Sequence, residues 1–263
     1  MKRRTALIAA ILVVLITVTG VMATRFYSQQ DSPIDKTLYQ PYMPSDNESI
    51  VVICFDDGWK SQLNASEVLD TFGFKATFAI VTSYASNNYP GYMTWSEIRG
   101  LRDKGNDIEC HSYSHIDLTN LSSDGLNQEI VQSKQTFQDE GFSAPELFVY
   151  PLGVGFDNAT VRDIVSKHYL AARAVEDSEW DISDFDRYGI TCFALTNQTS
   201  LSDFENIVWN AGGTTVVVLL YHEFDTGETY STSRGQFVDE MSFLKSNEFT
   251  VMTLSQLLFV NQS

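Results

Sequence analysis

From residue 50 onward the chain alternates short apolar runs with longer stretches in which apolar side chains return every three or four positions. The runs at 50–55, 76–81, 106–110, 147–150, 170–175, 188–195, 214–221 and 250–253 have the length of buried strands. Between most of them lie segments of helical period, such as 122–140 and 157–167. Strand–helix–strand alternation predicts a parallel sheet with helices packed outside it. Seven or eight strands over residues 50–263 fit a single α/β domain, a closed or nearly closed (β/α) barrel, with a doubly wound open sheet as the alternative.

The amino-terminal pattern differs. Residues 6–23, ALIAAILVVLITVTGVMA, carry no charge and follow Met1-Lys2-Arg3-Arg4. As a helix they would span roughly 27 Å, close to the ~30 Å of a hydrocarbon core. The basic start predicts a cytoplasmic amino terminus and an extracytoplasmic remainder. The segment reads as a membrane anchor or, with small residues ending at Ala23, as a signal peptide cleaved there. Residues 25–48, with Pro33, Pro41 and Pro44, read as a stalk ahead of a domain at 49–263. Asn-x-Ser/Thr sequons at Asn47, Asn64, Asn120, Asn158, Asn197 and Asn261 fit an exported surface, or simply an Asn- and Ser-rich chain.

Composition narrows the function. With 43% hydrophobic residues the chain can fill one sizeable core, which excludes disordered and collagen-like classes. Its 34 acidic against 17 basic residues give a net charge of −17, a field that repels phosphate backbones, so nucleic acid is not an expected partner. Cys54, Cys110 and Cys192 cannot all pair within one chain. Each sits in an apolar run where a free thiol acts as a small hydrophobe, with a single disulfide as the alternative.

Polar residues cluster where the predicted strands end. Asp56 and Asp57 follow IVVICF, His111 follows NDIEC with His115 four residues on, Pro151-Leu152-Gly153 follow LFVY, and His222 follows VVVLLY. Carboxyl ends of parallel strands are where such folds assemble their sites. His168 falls between a helix and a strand, outside this set, and reads as a surface or packing residue. Two imidazoles at i and i+4 can meet one ion if the segment makes a single turn, although the spacing alone is a weak signal. Asp56-Asp57-Gly58 could be only an Asp-Gly turn. Two adjacent carboxylates repel, however, and a cation between them and the histidines would relieve that.

With these residues in view, the chain resembles the polysaccharide deacetylases, the NodB-homology domain of carbohydrate esterase family 4. The resemblance rests on VVICFDDGW at 51–59, KATFAIV at 75–81, LRDKGNDIECHSYSHIDLTNLS at 101–122, FVYPLG at 148–153 and VVVLLYHEF at 216–224. It implies a distorted (β/α) barrel that removes acetyl groups from sugar polymers with one divalent metal. By motif position it implies Asp57, His111 and His115 as metal ligands, Asp56 as general base and His222 as general acid. The Leu152 backbone N–H would hold the oxyanion, with Tyr150, Pro151 and Trp59 beside the substrate. Zinc is the expected metal, and cobalt, nickel, manganese or iron also suit the donor set.

Two family features differ. Many members carry an Arg two residues before the proline of FVYPLG, paired with the catalytic Asp; here that position is Val149, nearer the FAYPYG form of poly-N-acetylglucosamine deacetylases. The Asp-x-x-Asp-Trp motif is missing, and Asp184 and Asp186 are the nearest carboxylates that could orient His222. Trp59, Tyr84, Tyr92 and Trp95 read as sugar platforms or as ordinary packing. A carbohydrate-binding protein without turnover and a deacylase of a small amide are the other readings of the same residues.

Overall fold

A computed structural model describes residues 39–45, 47–143 and 145–261. The expected anchor or signal segment at 6–23 and most of the stalk lie outside these residues. No helix among the described residues is long and apolar enough to cross a membrane.

Eight strands position the site: β1 (Ile50–Phe55), β2 (Thr77–Ile80), β3 (Asp107–Cys110), β4 (Leu147–Val149), β5 (Ala171–Arg173), β6 (Phe193–Ala194), β7 (Thr215–Tyr221) and β8 (Thr250–Met252). Strands β1 to β5 pair in parallel in chain order, and β7 returns to run parallel to β1 from Ile50↔Val216 to Phe55↔Tyr221. The circuit closes through the chain before β6. Ala172 N–H donates to the Arg187 carbonyl (2.9 Å) and Ala174 N–H to the Ile190 carbonyl (2.8 Å), after which β6 pairs with β7. The sheet is therefore curled into a distorted barrel and is not the open, doubly wound alternative. β8 wedges against the amino half of β1, from Thr250↔Ile50 to Met252↔Val52, below the point where β2 takes over that edge.

Strand geometry explains the layers. Side chains alternate faces along a strand, so Val51, Ile53 and Phe55 face outward into the helix-covered core with Phe78, Ile80, Phe148, Val217, Leu219 and Tyr221. Ile50, Val52 and Cys54 take the other face, and the same alternation carries Asp56 inward at the barrel mouth. Cys54, Cys110 and Cys192 are buried and free of disulfides, as their apolar surroundings predict.

Several expected elements are trimmed. The strand expected at 188–195 is regular only at Phe193–Ala194, and that at 170–175 only at Ala171–Arg173. The helix expected at 122–140 forms, but its middle, Asn127–Gln132, is wound as a π-helix between α-helical turns. The helix expected at 157–167 runs Ala159–His168, started by the Asn158 side chain accepting from Thr160 N and Val161 N. Residues 39–45, expected as stalk, are packed on the domain. Tyr39–Gln40 pairs antiparallel with Val260–Asn261, and the Tyr39 ring sits edge-on to Phe259. An aromatic anchor of this kind contributes enough buried area to hold an extended segment down.

One buried acid links the outer layer to pH. Glu240 on the helix Arg234–Ser246 is fully buried; its carboxylate accepts from Tyr221 Oη (2.8 Å) and Gln236 Nε2 (2.8 Å). Burial pushes its pKa up to about 7. A folded-state value above the unfolded one means that the native state holds the proton more tightly. Its contribution is full below the unfolded pKa and lost as pH rises through 7. Glu240→Gln should therefore be more stable than the parent at pH 8.5, by roughly 2–3 kcal/mol, with little difference at pH 4. Parallel melting curves for the two proteins across that range would reject the assignment.

Candidate active site

Asp56 and Asp57 leave β1 in a tight turn. Asp57 has φ 73° and Gly58 φ 79°, and a Cβ on Gly58 would come within 3.3 Å of Ile80 Cδ1. The turn is stapled by Gln62, a fully buried side chain at the start of the next helix. Its Nε2 donates to the Asp56 carbonyl (2.6 Å) and the His222 carbonyl (2.9 Å), locking the ends of β1 and β7 together.

His111 sits just beyond β3, where its Nδ1–H donates to the Val149 carbonyl (2.9 Å), which turns Nε2 toward the carboxylates. The segment then winds through two left-handed residues, Ser112 (φ 62°) and His115 (φ 57°), with His115 N–H donating to Ser112 Oγ (3.0 Å). Glu129, from the π-helical turn, reaches under this loop to accept from Ser114 N (2.8 Å) and from the Ser114 hydroxyl. The wide turn of a π-helix, frequent at functional sites, thus presents the carboxylate that fixes the His111–His115 loop.

The result is a compact donor set. Asp57 Oδ1 lies 3.4 Å from His111 Nε2 and 3.2 Å from His115 Nε2. One ligand atom from each of Asp57, His111 and His115 falls within 4.8 Å of the others. Asp57 Oδ2 accepts from Trp59 Nε1 (2.9 Å), while Oδ1 is buried without a hydrogen-bond partner among the described residues. An orphaned carboxylate oxygen facing two imidazole nitrogens is an arrangement that a shared divalent cation satisfies, so these residues fit the metal expected for them.

Electrostatics follow from the same contacts. Burial alone would raise the Asp57 pKa, but its contact with His111 and the charges of His111, His115 and His222 carry it well below the usual carboxylate range. Burial opposes a charged His111, yet the charges of Asp56 and Asp57 outweigh it and raise that pKa. Burial and the neighbouring His111 lower that of His115. Burial also lowers His222, against the pull of Asp56 and Asp57.

Asp56 is only 2% exposed, and its partner is a residue that the sequence motifs do not reveal: Arg173, fully buried at the end of β5, whose Nη2 pairs with Asp56 Oδ1. Nη1 of the same guanidinium donates to the Ala174 carbonyl (3.2 Å) and meets Cys192 Sγ (3.2 Å). The arginine lacking before Pro151 is thus supplied one strand further on. A signal was present: Arg173 is the one charge in the apolar run LAARAV, on the inward alternation.

Other expectations are corrected. Asp186 does not orient His222, because its carboxylate pairs with Arg162 and accepts from Tyr188 N (3.0 Å). Asp184 is exposed, and His222 Nδ1 has no hydrogen-bond partner among the described residues. The His222 ring instead lies 5.1 Å from that of Tyr230. The Tyr150 side chain is fully buried on the outward alternation, edge-on to Phe148. Pro151 is buried as well, and Leu152, with φ 60°, is the exposed residue of that turn. Trp95 is a core residue at the first turn of its helix, packed against Phe137 and Phe142. Trp59, Tyr84 and Tyr92 stay partly exposed beside Asp57. His168 is half-buried at a helix end, its carbonyl accepting from Lys134.

A curled parallel barrel with carboxylates, imidazoles and a buried arginine gathered at its strand ends is a (β/α)-barrel protein whose Asp57, His111 and His115 could hold a metal ion. Residues 44–172, just under half of the chain, match the family model described as Polysaccharide deacetylase, and together with the fold this match supports a NodB-homology domain of carbohydrate esterase family 4. The Bacillus subtilis (strain 168) protein YxkH, named among the polysaccharide deacetylases, is 28% identical over 117 residues, 44% of this chain and 40% of its own length. The chain thus spans less than half of that relative. A family 4 carbohydrate esterase from Streptomyces lividans, solved with acetate, superposes with a TM-score of 0.59 at 21% identity, covering 82% of this chain and all of that one. The family 4 domain of a xylanase from the hindgut metagenome of Trinervitermes trinervoides gives a TM-score of 0.57 at 23% identity, over 80% and 90% of the two chains.

Proposed function

We propose that the chain is a metal-dependent hydrolase removing N-acetyl groups from an extracytoplasmic N-acetylated polysaccharide of N-acetylglucosamine type. The observation that carries this reading is the convergence of Asp57, His111 and His115 beside an Asp56 held by Arg173. An acetamide is a poor electrophile and its amine a poor leaving group, so the reaction needs a polarised carbonyl, a water ready to lose a proton and a proton for the nitrogen. When bound by Asp57, His111 and His115, a divalent cation, zinc by default, supplies the Lewis acidity and lowers the pKa of water. Arg173 occupies Asp56 Oδ1 and leaves Oδ2, 3.8 Å from His111 Nε2, as the oxygen to take the water's proton. His222 holds the proton for the leaving nitrogen, and the Leu152 N–H, on an exposed turn, serves the oxyanion. FVYPLG supports the N-acetylglucosamine-type substrate through its nearness to FAYPYG. The basic start and the apolar 6–23 segment support an outer-face location; protease added to intact cells should then remove the domain.

Acetate release from a panel of N-acetylated glycans and a small N-acetyl amide tests the activity. Release from the polymers is expected. Release from the small amide alone would make the chain a small-molecule deacylase, and no release from metal-loaded protein would leave a binding protein. The ligand set has its own test. Alanine at Asp57, His111 or His115 should each abolish stoichiometric metal, and full metal in His115→Ala by elemental analysis would remove that residue from the set. Trp59→Phe, which removes the N–H on Asp57 Oδ2 together with part of the ring stacked on Tyr92, should weaken metal binding about 10- to 100-fold in chelator competition.

A further inference from the structure

We propose that Tyr230 is the positioning residue of His222: its ring, packed against the imidazole, takes over the orienting task that a carboxylate on Nδ1 would perform. The proposal rests on the deacetylase reading and names what keeps its general acid aimed.

The backbone of His222 is fixed, since Gln62 Nε2 donates to its carbonyl (2.9 Å) directly after the last residue of β7. Its side chain is not held by polar contacts. Nδ1 is buried with no hydrogen-bond partner among the described residues, Asp184 is exposed, and Asp186 is engaged by Arg162. The ring torsion of a histidine is broad and roughly two-fold, and the bond made by one ring nitrogen normally decides which nitrogen carries the proton. A general acid must nevertheless bring one N–H within hydrogen-bond reach of the leaving nitrogen. Packing has to supply the orientation. Among the described residues the one aromatic ring that meets His222 is that of Tyr230, with centroids 5.1 Å apart and planes at 49°.

Tyr230 is itself held in place. The two-residue strands Glu223–Phe224 and Ser231–Thr232 pair in parallel, Glu223↔Ser231 and Phe224↔Thr232, and Glu223 N–H donates to the Tyr230 carbonyl (3.1 Å). This register sets residue 230 level with residue 222. The loop between the strands is closed on itself: Asp225 N–H donates to the Thr232 carbonyl (3.2 Å), Thr226 N–H to Ser231 Oγ (3.1 Å) and Ser231 N–H to the Glu228 carbonyl (3.1 Å). It is also bonded to its surroundings, through Phe224 N–H on Ser61 Oγ (3.1 Å) and Asn197 N–H on the Thr229 carbonyl (2.8 Å). Tyr230 therefore has little freedom at its backbone.

Core packing does not account for this arrangement, because the Tyr230 residue is 51% exposed while the core rings of Phe55, Phe78 and Phe237 are wholly inaccessible. What it covers is the imidazole. An aromatic face attracts the positive edge of a neighbouring ring, so the contact restrains the His222 ring without a hydrogen bond and without contributing a proton of its own.

The test compares Tyr230→Ala and Tyr230→Phe in the metal-loaded chain, alone and combined with His222→Ala, on an N-acetyl substrate and an O-acetyl ester. Tyr230→Ala should lower kcat on the amide about 3- to 10-fold with KM little changed, the usual worth of one aromatic pair. The loss should be smaller on the ester and should vanish in the His222→Ala background, and Tyr230→Phe should keep most of the parent rate. An unchanged rate in Tyr230→Ala, equal losses on amide and ester, a loss that persists beside His222→Ala, or a loss as large in Tyr230→Phe would overturn the proposal. A measurement without turnover separates the two readings. In crystals of the metal-loaded protein the His222 ring should take one rotamer in the parent and in Tyr230→Phe, and more than one in Tyr230→Ala. A single unchanged rotamer in Tyr230→Ala removes the positioning role whether or not acetate is released; a ring freed by that substitution, in a chain whose parent releases no acetate, removes the deacetylase alone.

Discussion

Asp56→Asn should hold a full equivalent of metal yet lose about 10²- to 10⁴-fold in kcat/KM, the usual worth of a positioned acid or base. The proposed ligands are Asp57 Oδ1 and two imidazole nitrogens, so exchanging one Asp56 oxygen for an amide would leave that cluster intact. His222→Ala supplies the complementary half. Its loss should be similar on an N-acetyl substrate but smaller on an O-acetyl ester, because an alkoxide leaves with less help from a proton than an amine does. A merely structural His222 would damage both substrates equally, and equal losses with metal intact would remove it from the general-acid role.

Arg173→Met should cost about 3–5 kcal/mol of stability, because it strands the Asp56 carboxylate in a site that is 2% exposed. Activity should fall with it, since Asp56 Oδ1 loses the partner that orients the carboxylate. The double variant Asp56→Asn/Arg173→Met separates pairing from packing. With the stranded charge gone, a good part of the lost stability should return, so the two substitutions should be strongly non-additive in chemical denaturation. Losses that simply add would mean that Arg173 matters for its volume alone.

Much of this barrel is legible along the chain, for a physical reason. A parallel strand covered on both faces must be apolar throughout, so IVVICF and TVVVLLY announce themselves, and the first polar residues after them fall at the barrel mouth. The two regions read least well are those where regular pairing gives way. Residues 187–192 join β5 to β6 by single bridges and turns, which leave no periodic trace. The π-helical turn is likewise invisible in an ordinary helical pattern, and with it the placement of Glu129 beneath the histidine loop.

Within the site, motif position locates the donors but not what holds them. Arg173 stands 117 residues from Asp56, and nothing local couples the two. Tyr150 and Trp95 illustrate the converse: neighbours of polar motifs by sequence, both are turned into the core. Tyr150 follows Phe148 on the outward alternation. Trp95 opens a helix whose start is set by the Thr94–Glu97 capping box. Adjacency to a motif says little about direction, and strand or helix phase says a good deal.

The pairing of β8 with β1 has a consequence for how the chain reaches its native state. One edge of the most apolar strand is shared between β2, next in order, and a strand some 200 positions later, from Thr250↔Ile50 onward. During vectorial synthesis, Ile50 to Val52 emerge some 200 positions ahead of the strand that completes this edge. The pairing of β1 thus stays incomplete until the later strand arrives. Until residue 252 is in place, that half-edge has no strand to pair with, and a chain cut short of it would carry an open template for aggregation.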